Sequence, residues 1–216
     1  MKVAVYTLTW NRLAYTRHCL LTLREKAGYP YDHFIVDNGS GDGTAAWLHQ
    51  NGVHRVICNA ENLGLSRASN QALEAIRGYD LIVKFDNDCE VVTAGILAEI
   101  VEIYRHERGR YVLSPRVEGV NRQPERGWYS EIGGWRIGWT SIVGGLFHAV
   151  PAEVYEQYRY PEDLPKVRGQ SAHFCSWIRA SGGQVGYIED LVVNHYEGTD
   201  RQMSRYSEYF QRKEQE

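Results

Sequence analysis

Apolar positions in the first half of the chain switch repeatedly between continuous runs and helical stripes. Val3-Ala4-Val5-Tyr6-Thr7-Leu8 is a short, β-rich and largely apolar run, as a strand buried on both faces requires. Leu13, Leu20, Leu21 and Leu23 then fall at helical spacing, with Asn11 placed to cap the helix and Gly28 and Pro30 placed to end it. His33 to Val36 reads as a second strand. It runs into Asp37-Asn38-Gly39-Ser40-Gly41-Asp42-Gly43-Thr44, a dense turn that offers caps for a helix around Trp47. Val53 to Cys58 predicts a third strand, Leu65 to Arg77 a helix stopped by Gly78, and Leu81 to Phe85 a fourth strand. This alternation predicts an α/β fold around a mainly parallel central sheet, with right-handed crossovers and helices on both faces.

After Phe85 the pattern changes. A helix near Thr93 to Arg108 is followed by short strands and a glycine- and tryptophan-rich stretch, Gly127 to Gly145. A helix starting at Pro151, another from about Ser171 to Ser181 and a strand near Gln184 to Ile188 follow. Beyond His195 the chain is polar and hydrophobically aperiodic. No repeat or linker interrupts the 216 residues, so a single domain is expected. A net charge of −3 provides no global basic field toward nucleic acid or anionic lipid, and Arg105 to Arg110 reads as a solvated helix end. Cys19, Cys58, Cys89 and Cys175 are far apart, form no C-x-x-C pair and sit beside apolar residues. Reduced thiols and a cytoplasmic setting are therefore expected. The N-terminus has no basic-then-apolar leader pattern, and no apolar run approaches the roughly 20 residues that cross a bilayer. A lipid-linked acceptor would be met at the membrane surface.

The chemistry centres on Asp86-Asn87-Asp88, which follows the apolar strand Leu81-Ile82-Val83-Lys84-Phe85 directly. Both carboxylates emerge at the carboxyl end of a strand, the edge at which open α/β sheets bind ligands. Two carboxylates this close repel unless a cation shares them. Mg²⁺ and Mn²⁺ bind through one or two carboxylates plus substrate phosphates.

Four segments in order, Thr7-Leu8-Thr9-Trp10-Asn11-Arg12, Val36 to Thr44, Asn62-Leu63-Gly64-Leu65-Ser66-Arg67-Ala68-Ser69-Asn70 and Asp86-Asn87-Asp88, resemble the family 2 glycosyltransferases of the GT-A fold. The resemblance covers nearly the whole chain. It implies one domain over residues 1–195, with a nucleotide-binding half (1–90) and an acceptor half (91–195), and a flexible C-terminal segment, 196–216. It implies transfer of a sugar from a nucleotide diphosphate sugar to an acceptor hydroxyl, with Mn²⁺ or Mg²⁺. In donor binding it implies Thr7, Thr9, Trp10 and Arg12 around the nucleoside, Asp37 on the base, Asn62 beside them and Arg67 on the pyrophosphate or sugar. It further implies Asp86 and Asn87 at the ribose or metal, Gly144 and Gly145 near the sugar, and Arg201 or Arg205 on the leaving diphosphate. The implied metal ligands are Asp86, Asp88 and His195, which ends the run Leu191-Val192-Val193-Asn194. Imidazole tilts the preference toward Mn²⁺. Trp128, Trp135 and Trp139, with Tyr129, are candidates to stack on an acceptor sugar.

One departure stands out. Inverting relatives carry Gly-Glu-Asp at the opening of the late helix, its Asp serving as general base. Here the stretch is Gly169-Gln170-Ser171-Ala172-His173, with both acids missing. An inverting reaction needs a base at the acceptor hydroxyl. Asp163 and His173 are the substitute candidates, with Glu162 beside the first. A retaining reaction, or a non-catalytic sugar-nucleotide binder, is the alternative. A nucleotidyltransferase would show a glycine-rich basic loop where Thr9-Trp10-Asn11-Arg12 stands. The acceptor remains open among glycan, lipid-linked, protein and modified nucleic acid, the last without support from net charge.

Overall fold

The computed structural model of the chain describes residues 1–121, 123–166, 169–207 and 211. In its first half β1 (Val3–Thr9), β2 (Tyr31–Asp37), β3 (Arg55–Cys58) and β4 (Leu81–Phe85) alternate with α1 (Leu13–Lys26), α2 (Thr44–Gln50) and α3 (Gly64–Ala75). These strands pair in parallel in the order β3-β2-β1-β4. Every residue of β1 and of β4 is buried, so both faces of the sheet are covered, which is why neither strand alternates apolar with polar.

The second half makes the sheet mixed. It contains β5 (Cys89–Val91), α4 (Ile96–His106), β6 (Tyr111–Glu118), β7 (Trp128–Ile132) and β8 (Trp135–Thr140). Then follow β9 (Phe147–Pro151), α5 (Ala152–Gln157), α6 (Gln170–Ala180), β10 (Gln184–His195) and α7 (Gly198–Arg205). From β4 the sheet continues through β9, β6, β10, β8 and β7. Only the β6–β10 pair among these is parallel; β9 and the β7–β8 hairpin run antiparallel to their neighbours. The expected parallel sheet thus describes the first half, where each strand is followed by a crossover helix. In the second half only the β7–β8 hairpin is a short return; β9 enters antiparallel between β4 and β6 after a long excursion.

Two local features differ from the sequence reading. Asn11 does not cap α1: its Oδ1 accepts from the Gly41 N–H, and Asp42 Oδ2 takes the Leu13 N–H at the helix start. Asp42 Oδ1 also accepts from Thr44, so one carboxylate caps two helices. And the aperiodic stretch after His195 forms α7, whose Gln202 is fully buried. Residues 208–210 and 212–216 of that C-terminal segment lie outside the described residues. Among the described residues, no helix is long and apolar enough to cross a membrane.

Gly39 shows how tightly the β2 turn is built. Its φ is +79°, and an added Cβ would lie 2.7 Å from the Glu61 backbone. We expect Gly39→Ala to destabilise the protein by more than about 1 kcal/mol, since both the dihedral and the contact oppose a side chain. Thermal denaturation checks this; an unchanged midpoint would mean that the turn relaxes at no cost.

Candidate active site

The carboxyl ends of β1, β2 and β4 enclose a small cleft of about 100 Å³, bordered by Thr9, Trp10, Asn62, Asp86, Asp88 and Lys166. The backbone leaves β1 through Asn11 and Arg12, both left-handed at φ 55° and 59°. Such conformations cost of order 1–3 kcal/mol in non-glycine residues and persist only where the surroundings enforce them. Here Asn11 is pinned from both sides, its N–H donating to Ser40 Oγ at 2.7 Å and its side chain accepting from Gly41. The strained turn directs Arg12 inward.

Arg12 is buried beneath the carboxylates. Its Nη1 donates to Asp88 Oδ2 (3.1 Å) and to Gln202 Oε1 (2.8 Å), and its Nη2 to Asn87 Oδ1 (3.0 Å). The guanidinium, expected at the nucleoside, is thus also a permanent cation under Asp88. Lys84 does the same for Asp86: its ammonium donates to Asp86 Oδ1 and to the Gly145 carbonyl. Burial pushes the Lys84 ammonium down, but the Asp86 charge overrides this and the net shift is upward, so Lys84 stays protonated. Sequence reading missed Lys84, although a lysine inside an otherwise apolar, doubly buried strand was its signal.

His195 reaches the same place from the end of β10. An irregularity between Ile188 and Val192 shifts the register of that strand, and beyond it the Tyr196 N–H donates to the Asp88 carbonyl at 2.9 Å. His195 Nε2 lies 3.5 Å from Asp88 Oδ2. Gln202 of α7 bridges Arg12 and His195. Arg12 can only donate, so Gln202 Oε1 faces it and Gln202 Nε2 donates to the Tyr196 carbonyl and toward His195 Nε2 (3.2 Å). Among the described residues no cluster of three or more metal-binding side chains exists. A carboxylate oxygen and an imidazole nitrogen are the donor types that a hard or borderline cation takes when its remaining ligands arrive with a phosphate.

Other expected residues fall nearby or elsewhere. Asp37 is buried, with Thr9 Oγ1 donating to one oxygen and the Ser40 N–H to the other. Thr7 lies deeper and bonds His33 Nε2 at 2.9 Å; burial pushes that imidazole down to about 4. Asn62 accepts from Asn38 and from the Gly64 N–H. Arg67 is exposed on α3 and pairs with Glu162, 3.4 Å away. Arg201 is exposed on α7, and Arg205 pairs with Glu197.

Of the two candidate bases, Asp163 is exposed on a loop, and His173 is exposed with its Nδ1 on Tyr158 Oη at 2.8 Å. Gln170, Ser171 and Ala172 open α6 against the cavity beside Asp86. His173 follows them on α6 but does not line that cavity. The tryptophans sit on the β7–β8 hairpin, four and five strands beyond β4. Trp139 is buried, Trp135 donates to Glu99 Oε2, and Trp128 is exposed beside Trp139. The structure does not bring them to the carboxylate cleft.

The sequence model of glycosyl transferase family 2 matches residues 4–181. The chain belongs to glycosyl transferase family 2. It has the GT-A fold, on which solved structures agree. Staphylococcus aureus TarS, residues 1–349, superposes with a TM-score of 0.72 at 17% identity, over 91% of this chain and 60% of its own. The mannosyltransferase PcManGT from Pyrobaculum calidifontis, in complex with GDP-Man and Mn²⁺, gives 0.70 at 21%, over 89% and 56%. GalNAc-T7 with UDP, GalNAc and Mn²⁺ gives 0.71 at 14%, over 91% and 44%. The chain thus spans about 60% of the TarS fragment's length and less of the other two. No curated protein matches it.

Proposed function

We propose that this family 2 glycosyltransferase moves a sugar from a nucleotide diphosphate sugar to an acceptor hydroxyl with inversion, the diphosphate being held at a divalent cation, Mn²⁺ before Mg²⁺. The observation that carries this reading is the meeting of Asp88 and His195 Nε2 at the mouth of the cleft. Asp88 and His195 would hold the cation, which would neutralise the leaving diphosphate. Asp86, already committed to Lys84, is left to the ribose or sugar side. Thr9, Trp10 and Asn62 would line the nucleoside, with Asp37 behind them shaping the turn as well as facing the base. Arg201 is the candidate to close on the diphosphate from α7. The mannosyltransferase and GalNAc-T7 complexes, which contain Mn²⁺ with a sugar nucleotide or UDP, support this reading by analogy.

Two observations bear on the base. No acid occupies the start of α6, and His173 Nδ1 is already engaged with Tyr158. Asp163 is therefore the base we favour, and retention, which needs no base at the start of α6, is the second reading. Incubation with UDP-, GDP- and dTDP-sugars, with Mn²⁺ or with chelator, should release nucleoside diphosphate only when metal is present. Asp163→Asn should then lower turnover about a hundredfold at unchanged donor affinity, while His173→Ala should leave it near wild type. Full activity of Asp163→Asn, with product of the donor's own anomeric configuration by NMR, would establish retention instead.

A further inference from the structure

A cavity of about 550 Å³ lies at the far edge of the sheet, where the β7–β8 hairpin meets the end of α6. Its volume falls within the range of small-molecule sites. Trp128 and Trp139 form its aromatic wall. They are paired across the hairpin, with ring centroids 5.4 Å apart and planes at 31°. Trp139 is 4% exposed, packs on Tyr111 and donates its indole N–H to Ser130 Oγ at 2.8 Å, so it is a fixed backing. Trp128 is 51% exposed, and its indole N–H makes no hydrogen bond among the described residues. The edge strand thus holds out a braced aromatic face that the described chain leaves uncovered.

The other walls are polar. Arg126 is engaged: its Nε donates to Glu189 at 2.7 Å and its guanidinium lies over the Tyr187 ring. Glu125 and Arg179 also line the cavity; both are exposed, and neither joins an ion pair among the described residues. One unpaired acid and one unpaired base leave the lining without a net charge to select by. A carboxylate accepts from neighbouring hydroxyls and a guanidinium donates to them, while an indole face takes up apolar surface and removes it from water. A sugar ring presents both, with C–H groups on its face and hydroxyls at its rim. This outer cavity shares its walls with an inner one. Thr140 and Ser141 line the outer cavity, and Ile142 and Gly145 line the inner cavity of about 330 Å³ beside Asp86, over Lys84 and His148. On α6, Ser171 at the start borders the inner cavity and Arg179 at the end the outer one. Those two residues stand about 12 Å apart along the helix axis, a span that a short oligosaccharide covers and a single sugar does not.

We propose that Trp128 is the outer platform of the acceptor site, on which the body of a neutral glycan chain rests while its reacting end faces Asp86. The acceptor is then an oligosaccharide whose length, and not its reacting sugar alone, sets its affinity. The inference rests on the acceptor-hydroxyl reading above, and binding in the absence of donor separates the two. Calorimetry follows malto-, cello-, chito- and manno-oligosaccharides, from disaccharide to hexasaccharide, with no nucleotide present. At least one series should bind wild type, about tenfold more tightly at the length that reaches the platform than as the disaccharide, and Trp128→Ala should abolish that gain. Tyr129→Ala should keep it, since Tyr129 is similarly exposed at 47% but faces the other side of the strand. If Trp128→Ala does not fold, Arg179→Ala carries the test and should lower the affinity of the long chain alone. No binding by any series, affinity independent of length, or a gain that survives the substitution overturns the inference. So does a wild-type dimer in sedimentation that Trp128→Ala disperses, which assigns the edge strand to a second copy. UDP and GDP binding with Mn²⁺ scores the donor reading apart. That reading stands where nucleotides bind and glycans do not, and it falls where glycans alone bind, which leaves Trp128 a glycan platform without a donor.

Discussion

Replacing Asp88 with alanine should abolish Mn²⁺-dependent nucleotide binding and lower turnover by about a thousandfold or more. The expectation follows from what converges on one oxygen. Asp88 Oδ2 receives Arg12 at 3.1 Å and stands 3.5 Å from His195 Nε2, and Asp88 borders the cleft proposed to take the diphosphate. Without that carboxylate, His195 is the sole described protein ligand at this point, and a hard cation is not held by one imidazole. Loss of a fixed charge at the leaving group costs on the order of 10²–10³ in rate even when binding survives. Alanine also strips a partner from buried Arg12, so Asp88→Asn is the cleaner variant. Its amide oxygen still accepts from Arg12 and nearly preserves volume, so stability should stay close to wild type while Mn²⁺ binding is lost. Calorimetric titration of Mn²⁺ with UDP or GDP reads the first effect and thermal denaturation the second. An Asp88→Asn protein that binds nucleotide with the wild-type metal dependence would sink the assignment of the cation to Asp88.

How far the sequence allowed this site to be read depends on which interactions are local. The strand–turn–helix order of the first half was legible because each element carries its own signal: an apolar run, a glycine-rich turn, a stop at Gly78. Asp86 and Asp88 were legible for the same reason, since their placement follows from the strand before them. His195 was legible only through the family resemblance. Its meeting with Asp88 is made by the β10–β5 pairing of His195 with Cys89, a contact between distant segments that no local pattern encodes. Lys84 was visible in the sequence and passed over, because one lysine does not alter the reading of an apolar strand. Its pairing with Asp86 two residues on, across the end of that strand, supplies the reason it is there. Gln202 and His148 carried no signal. The first lies in a helix that polar composition hides, and the second stands opposite Lys84 only because β9 inserts antiparallel beside β4. The tryptophans, candidates for sugar stacking by composition, sit on the β7–β8 hairpin at the far edge of the sheet, a position that no local pattern encodes.

Arg12→Ala should be the most destabilising single change in the site, at about 3–5 kcal/mol. Its guanidinium satisfies Asp88 Oδ2, Asn87 Oδ1 and Gln202 Oε1 together, and Asn87 passes the constraint on by donating to Thr16 Oγ1. Removal leaves a mostly buried carboxylate without this cation and two acceptors without a donor, and it unties α7 from β1. For a chain of this length the loss corresponds to a fall in melting temperature of roughly 10 °C. Two controls separate the charge from the backbone. Arg12→Gly also removes the side chain but relieves the left-handed strain at φ 59°, so it should be less damaging than Arg12→Ala. Arg12→Lys keeps the charge but not the three-way fork, and should recover only part of the loss. Metal then gives the decisive reading. A cation bound by the folded state alone raises stability by mass action, about 2.7 kcal/mol at a hundredfold excess over its dissociation constant. With Arg12 gone, Asp88 loses one cationic neighbour whose place Mn²⁺ can take, so Mn²⁺ should raise the melting temperature of Arg12→Ala further than that of wild type. If Mn²⁺ shifts both proteins equally, the guanidinium and the metal do not share Asp88, and the cation must be held elsewhere in the cleft.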